Sequence, residues 1–531
     1  MTGPGTAVSP RLDGACKEEP VAIERASGLL LHITSLPGDR HCGTLGREAA
    51  AFASFLAASG QSYWQVLPLG PVCPHWNFSP YSSPSTFAGN ELLIDPQALH
   101  ERGWLSADEL RAGAVVPASD FCDLDAAAAR NAAWLEASAR RFFAEGDDSA
   151  FAGFCSREKG WLEDYALFRA LADRFATFRW TDWPDAISRR QPAAVARWQN
   201  ELQDAIRRRR FEQFIFFSQW RALKETANRQ GVRLIGDIPF YVNFESADAW
   251  SRPEIFQVDK GTGRPAFVAG VPPDYFSASG QRWGNPLYRW QQDGALHAPT
   301  MVWWRERIRH LLQMVDVLRI DHFRGFDSYW AIPEAEPTAV KGRWHPGPGM
   351  DFFDHLKREL GELPLVAEDL GEITPGVVAL RERLGFPGMK ILQFAFDGQS
   401  ANPYLPHNFT DANCLVYTGT HDNNTSNGWF YGPETGETQK QAVLDYMGLA
   451  HRDEFHWHFN RLAMQSVARL AVLPVQDILG YDERFRMNTP GQAVGNWRWR
   501  LTPGALTPEI GRRLRQLTQM FNRLPAARDL S

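Results

Sequence analysis

Val315-Asp316-Val317-Leu318-Arg319-Ile320-Asp321 is a short, mostly apolar run that closes on an acid. A half-exposed strand alternates apolar and polar residues. A near-continuous apolar run is instead expected of a parallel strand covered on both faces. Working outward, seven further runs have the same form: Leu29–Ile33, Tyr63–Leu69, Val232–Ile238, Pro364–Asp369, Met389–Phe396, Cys414–Asp422 and Ala468–Ile478. Helical patterns lie between several of them. One opens at Thr374-Pro375, a capping residue followed by proline, and stops at Gly385. Strand, helix, strand repeated to eight predicts a (β/α)8 TIM barrel of the α/β class.

Two gaps exceed a simple crossover. The first, at about residues 96–225, reads as mainly helical: Trp161, Tyr165, Phe168, Ala172 and Phe175 recur at steps of four and three, one apolar stripe. A second aromatic-rich helix is expected at Phe211–Leu223. The Arg207–Arg210 run before it reads as a solvated helix face rather than a nucleic-acid patch. The second gap, at about 243–300, is rich in Gly, Pro and aromatics and reads as a structured loop region. Residues 1–27 are expected to be a flexible tail and 28–531 one barrel body carrying both insertions, without a C-terminal β-sandwich.

Composition narrows the function. A net charge of −6 draws the molecule neither to nucleic acid nor to an anionic membrane. The N-terminus has no apolar stretch of signal-peptide type, and no run of about 18 apolar residues offers a membrane span. Cys16, Cys42, Cys73, Cys122, Cys155 and Cys414 are scattered, which argues for reduced thiols in a cytoplasm rather than a disulfide framework or zinc site. Twenty Trp and 34 Phe exceed ordinary core needs, and flat rings make good platforms for sugar faces.

A barrel builds its active site where strands end. Four of these ends carry acids: Asp237 after the third strand, Asp321 after the fourth, Glu368-Asp369 after the fifth and His421-Asp422 after the seventh. Strand side chains repeat with period two, so Arg319 and Asp321 point the same way, and the guanidinium is expected to hold Asp321 ionised. Glu368 follows the apolar Pro364–Ala367, where desolvation and neighbouring carboxylates should raise its pKa, as a general acid requires. One charged and one protonated carboxyl, about 5–5.5 Å apart, is the pair used for retaining glycosidic cleavage. Asp422 is expected to stabilise positive charge or grip sugar hydroxyls, with His322 and His421 donating to the same sugar. Dinucleotide and phosphate loops, the HExxH metal motif and the GxSxG elbow are all missing, so no cofactor and no metal is called for.

From Gly28 to Leu501 the chain resembles the 4-α-glucanotransferases (amylomaltases, disproportionating enzymes) of glycoside hydrolase family 77. The likeness rests on Gly28–Gly38, Trp64–Pro71, Ser79-Pro80-Tyr81-Ser82 with Phe87–Asn90, Val271–Ser277 and Gly280–Tyr288, together with the strand ends above. The resemblance implies Asp321 as nucleophile, Glu368 as acid/base and Asp422 as transition-state stabiliser. It implies substrate-binding or supporting roles for Tyr81, Asp237, Asp274, Tyr275, Phe276, Trp283, Arg319, His322, Asp369 and His421, with Val271–Tyr288 as a lid over the donor sugar. The implied partners are maltooligosaccharides and α-1,4-glucans, with neither nucleic acid nor membrane. Oligomeric state stays open. An α-glucan hydrolase with little transfer and a catalytically inactive glucan-binding protein are the competing readings. Two segments depart from the family pattern: Asn424 stands where an acid is common, and Asp39–Thr44 replaces a glycine-isoleucine-glycine segment.

Overall fold

The computed structural model describes residues 23–112, 119–146, 149–259, 261–273 and 277–525. Of the expected tail at residues 1–27, those up to 22 lie outside the described residues, whereas Ala26 and Ser27 already belong to the first barrel strand. The site candidates Asp274, Tyr275 and Phe276 also lie outside the described residues.

Eight parallel strands form one sheet: β1 (Ala26–Leu30), β2 (Tyr63–Gln65), β3 (Arg233–Ile238), β4 (Val317–Ile320), β5 (Leu365–Ala367), β6 (Gly388–Ile391), β7 (Cys414–Tyr417) and β8 (Leu470–Pro474). Their spatial order is β5-β4-β3-β2-β1-β8-β7-β6, a sheet curled until its ends meet. Each falls within or beside one of the eight apolar runs. Every residue of β1, β2, β4, β5, β7 and β8 is buried, as strands sandwiched between a filled interior and outer helices must be. The strands pack closely at Gly28, where a Cβ would land 2.6 Å from that of Tyr63.

The closing seam between β5 and β6 differs from the seven other strand contacts. One backbone bond crosses it, from Ala367 N–H to Pro387 O (2.9 Å). The next donor, Met389 N–H, bonds the Asp369 carboxylate (2.7 Å), which also pairs with Arg381 (3.1 Å). A side chain thus does there what a ladder does elsewhere.

The first insertion is helical, as its periodicity predicts. Helix Lys159–Phe175 buries Tyr165, Phe168 and Ala172 against the 27-residue helix Gln203–Arg229. Gln213 on that long helix exchanges two bonds with the backbone of Gly89 (2.7 and 2.9 Å), and Gln219 does the same with Asp95 (2.7 and 3.1 Å). The four adjacent arginines are less solvated than their sequence implies. Arg209 is bonded to Asp173 (2.6 Å) and Glu212 (2.7 Å), Arg210 to Glu163, and Arg207 lies 3.8 Å over the Phe143 ring. Acids on neighbouring helices, invisible to a local reading, draw them in.

The second insertion holds more regular structure than a loop region. Strands Phe267–Val271 and Gln281–Pro286 pair antiparallel, then join Ser328–Pro333 and Arg343–Pro346 in a separate four-stranded sheet. Past β8, residues 483–501 run back across the barrel mouth, and helix Pro508–Met520 packs on Arg47–Ala58 to complete the outer layer.

Candidate active site

The acids meet at the C-terminal rim. Ile320 and Ala367 are register partners on β4 and β5, so Asp321 and Glu368 follow each other across neighbouring strands spaced about 4.8 Å. The ladder continues past them with a slip of one residue. Glu368 N–H bonds Ile320 O (3.0 Å), but Glu368 O receives Phe323 N–H (3.1 Å) rather than that of His322. His322 is the extra residue. It takes the left-handed conformation (φ 53°, ψ 48°), and its freed N–H donates to Glu368 Oε2 at 2.6 Å. Leu370 N–H donates to Oε1 (2.8 Å), so backbone on both sides clamps the Glu368 carboxyl. A left-handed histidine costs about 1 kcal/mol, and such strain tends to be retained where it positions a working group.

Arg319 is buried and divided. Its Nη1 reaches both oxygens of Asp237 (2.7 Å each) and Asp321 Oδ1 (3.1 Å). Tyr81 Oη donates to Asp237 (2.8 Å), and its ring stacks on His421 (5.1 Å, 15°). His421 Nε2 stands 3.4 Å from Asp422 Oδ2. A continuous chain of contacts, polar except for the Tyr81–His421 ring stack, therefore runs Asp422, His421, Tyr81, Asp237, Arg319, Asp321.

Proton affinities correct one expectation. Burial pushes Asp321 up to about 8, with Arg319 opposing and the charges of Asp237, Glu368 and Asp422 adding to the rise. Burial is also the first cause of a raised Glu368, opposed by Arg319 and by its two backbone bonds. The guanidinium sits beside Asp321 as foreseen, yet burial outweighs it, and Asp237 shares it. The two acids interact, so their protons belong to the pair, which keeps one proton and one charge near neutrality. Burial keeps the neighbouring imidazoles neutral, with His322 lowered to about 4 and His421 also lowered.

Trp283, carried on strand Gln281–Pro286, is 39% exposed, and its ring stands edge-on to His322 at 4.9 Å. His322 Nε2 and the Tyr241 hydroxyl, whose rings are 6.1 Å apart, are buried without partners among the described residues. Orphaned polar atoms of this kind mark where a ligand's hydroxyls would bond. Asp369 does not join the cluster: it turns outward to staple the seam, a supporting position. Asn424 is buried and donates to Glu434 (2.8 Å), whose other partner Arg486 donates to the Asp422 carbonyl (2.6 Å).

Sequence reasoning missed Tyr241, Asn488 and Trp497. Asn488 Nδ2 donates to Asp422 Oδ1 (2.6 Å), and Trp497, left-handed at φ 66°, flanks Tyr81 at 5.8 Å and His421 at 6.1 Å. The latter two come from the segment that returns over the mouth, where strand ends give no signal. The local excess of tryptophan was the one available hint.

Comparison with known proteins agrees with this geometry. The profile of a family described as 4-alpha-glucanotransferase matches residues 31–507. The chain is similar to a 4-alpha-glucanotransferase of Thermus thermophilus (46% identical, covering 94% of this chain and all of the relative) and to one of Synechocystis (44%, covering 94% and 98%). Among solved structures it resembles an amylomaltase from Streptococcus agalactiae in complex with acarbose, with a TM-score of 0.89, 38% identity, and coverage of 94% of this chain and all of that one.

Proposed function

The chain belongs to the 4-α-glucanotransferase family, glycoside hydrolase family 77, and from that premise we propose that Asp321 is its nucleophile, Glu368 its acid/base and Asp422 its stabiliser. The enzyme transfers a segment of an α-1,4-glucan to an acceptor sugar. Asp321 attacks the anomeric carbon while Glu368 gives its proton to the departing O4. The C1–O4 bond breaks and a β-linked glycosyl ester forms on Asp321. Glu368, now a carboxylate, takes the proton from the acceptor's 4-hydroxyl as that oxygen attacks C1. Asp321 leaves, and the configuration is retained.

The observation that carries this reading is that Asp321 and Glu368 directly follow the register partners Ile320 and Ala367, which brings two carboxyls together at the ends of adjacent strands, the arrangement a retaining mechanism uses. Asp422, held by Asn488 and beside His421, is placed to offset positive charge on the sugar ring. His322, Tyr241 and Trp283 supply partners and a platform for donor glucose. His421 and Tyr81 grip the same sugar, and the fully buried Asp237 holds Tyr81 and Arg319 in place for it. A reducing, cytoplasmic setting is supported by the five described cysteines, all free thiols. No helix among the described residues is long and apolar enough to cross a membrane.

Incubation with maltotriose tests the assignment. Wild type yields glucose together with chains longer than the substrate, and Asp321→Ala yields neither. Products shorter than maltotriose alone would establish a hydrolase instead. A fully active Glu368→Gln would remove the acid/base from its role.

A further inference from the structure

Behind the loop that carries Tyr81, away from the barrel mouth, lies a cavity of about 480 Å3. It opens between helix Ala298–Met314 and the helical insertion. Its floor is aromatic: Phe87 is parallel to Trp161 (6.3 Å, 13°) and edge-on to Trp303 (6.2 Å). Its walls carry both signs of charge, and two of the lining acids are paired with arginines. Asp164 is bonded to Arg190 (2.6 Å), Glu306 to Arg305 (2.8 Å) and Arg309 (2.6 Å), and Glu158 to Trp161 Nε1 (2.8 Å). Arg157, Arg221 and Arg252 also line the space, and among the described residues none of them makes an ion pair.

Three guanidiniums without an ion pair, lining a cavity with an aromatic floor, suit an oxyanion attached to a ring with an apolar face. A neutral glucan would leave that charge unused, and the volume suits one small molecule rather than a chain. We propose that this cavity binds a phosphorylated monosaccharide, with its phosphate among Arg157, Arg221 and Arg252 and its sugar ring against Trp161 and Trp303.

The floor is wired to the catalytic loop. His310 Nε2 bonds Phe87 O (2.8 Å), and the buried Asp248 accepts from Thr86 N–H (2.9 Å), Thr86 Oγ1 (2.8 Å) and Trp303 Nε1 (3.3 Å). Thr86 and Phe87 lie five and six residues beyond Tyr81, which is bonded to Asp237 at the mouth. Occupancy of the cavity therefore shifts affinity for glucan through the Tyr81 loop, a coupling that works in both directions.

Tryptophan fluorescence titration of the full chain tests both statements, with glucose 1-phosphate, glucose and inorganic phosphate as separate probes at fixed ionic strength. The wild type gives saturable quenching with glucose 1-phosphate. The triple variant Arg157→Ala/Arg221→Ala/Arg252→Ala, whose changes are all at exposed positions, keeps its circular dichroism and binds at least about tenfold more weakly. Absence of saturation up to about 10 mM, undiminished binding in the triple variant, or equal affinity for glucose or inorganic phosphate overturns the site. A KM for maltotriose that does not move in the presence of glucose 1-phosphate overturns the coupling.

Discussion

Asp321 and Glu368 share their surroundings so closely that neither titrates alone. The sequence places both acids at strand ends and puts Arg319 on the same face as Asp321. It does not reveal that Arg319 would be divided with Asp237 and outweighed by burial, because the neighbours responsible come from β3, β5 and β7. Turnover requires the pair to keep one proton, and the last proton leaves as pH rises through about 8. The profile of kcat/KM should therefore fall on its alkaline side near that value, and an activity flat to pH 10 would refute the shared proton. Stability follows the same pair. In an unfolded chain these carboxyls lose their protons near about 4, whereas the folded pair holds on until higher pH. Their contribution is complete below the unfolded value and is lost as pH rises through the folded one. Asp321→Asn should accordingly be more stable than wild type at pH 8, by about 0.5–2 kcal/mol, and little different at pH 4, as read by urea unfolding at both. Because 31% of the Asp321 side chain meets solvent, the lower half of that range is expected. The left-handed turn at His322 was beyond sequence reading: histidine is enriched at positive φ, but such residues are still only a few per cent of the total.

Elements were legible where the burial of each is uniform or periodic. The eight barrel strands and the Lys159–Phe175 helix announce themselves by continuous or 3.6-residue hydrophobicity. The four-stranded side sheet does not. Arg343–Pro346 is exposed along its whole length, Gln281–Pro286 along half of its own, and Phe267–Val271 pairs with a strand about sixty residues away. Neither alternation nor a tight turn betrays such a sheet. The long helix Gln203–Arg229 offers a test at this scale. Gln213 and Gln219 stand six residues apart on it, and their amides complete the backbone bonding of Gly89 and Asp95. Gln213→Ala leaves a buried N–H and C=O at Gly89 without partners, at a cost of about 1–3 kcal/mol. The measured fall in denaturation midpoint should exceed that of Gln219→Ala, because Gln213 is fully buried and Gln219 only partly.

The whole molecule is a ring tied at the bottom and seamed at one side. The fully buried Arg523 gathers the chain's far ends: its guanidinium donates to the carbonyls of Ala26 (2.8 Å), Met464 (2.7 Å), Ser466 (3.1 Å) and Arg469 (3.1 Å). Arg523→Met takes the guanidinium from these carbonyls, of which Arg469 O keeps the Ala26 N–H (2.8 Å), and should destabilise by about 2–4 kcal/mol, with kcat at 25 °C unchanged. A loss below about 0.5 kcal/mol would show that water replaces the guanidinium without penalty. At the seam, Gly388→Ala would drive a methyl into the Asp369 carboxylate and break its bond to Met389. We expect a lower melting temperature in that variant and a larger loss of transfer activity than the change in stability explains. The residue that follows Ala367, donor of the one backbone bond across that join, is Glu368. Partial opening there would displace the proton donor while the seven other strand contacts held. Warmed slowly, such an enzyme should fall silent before it melts: sugar exchange would cease several degrees below the temperature at which ellipticity collapses, and cooling from that interval would bring the chemistry back.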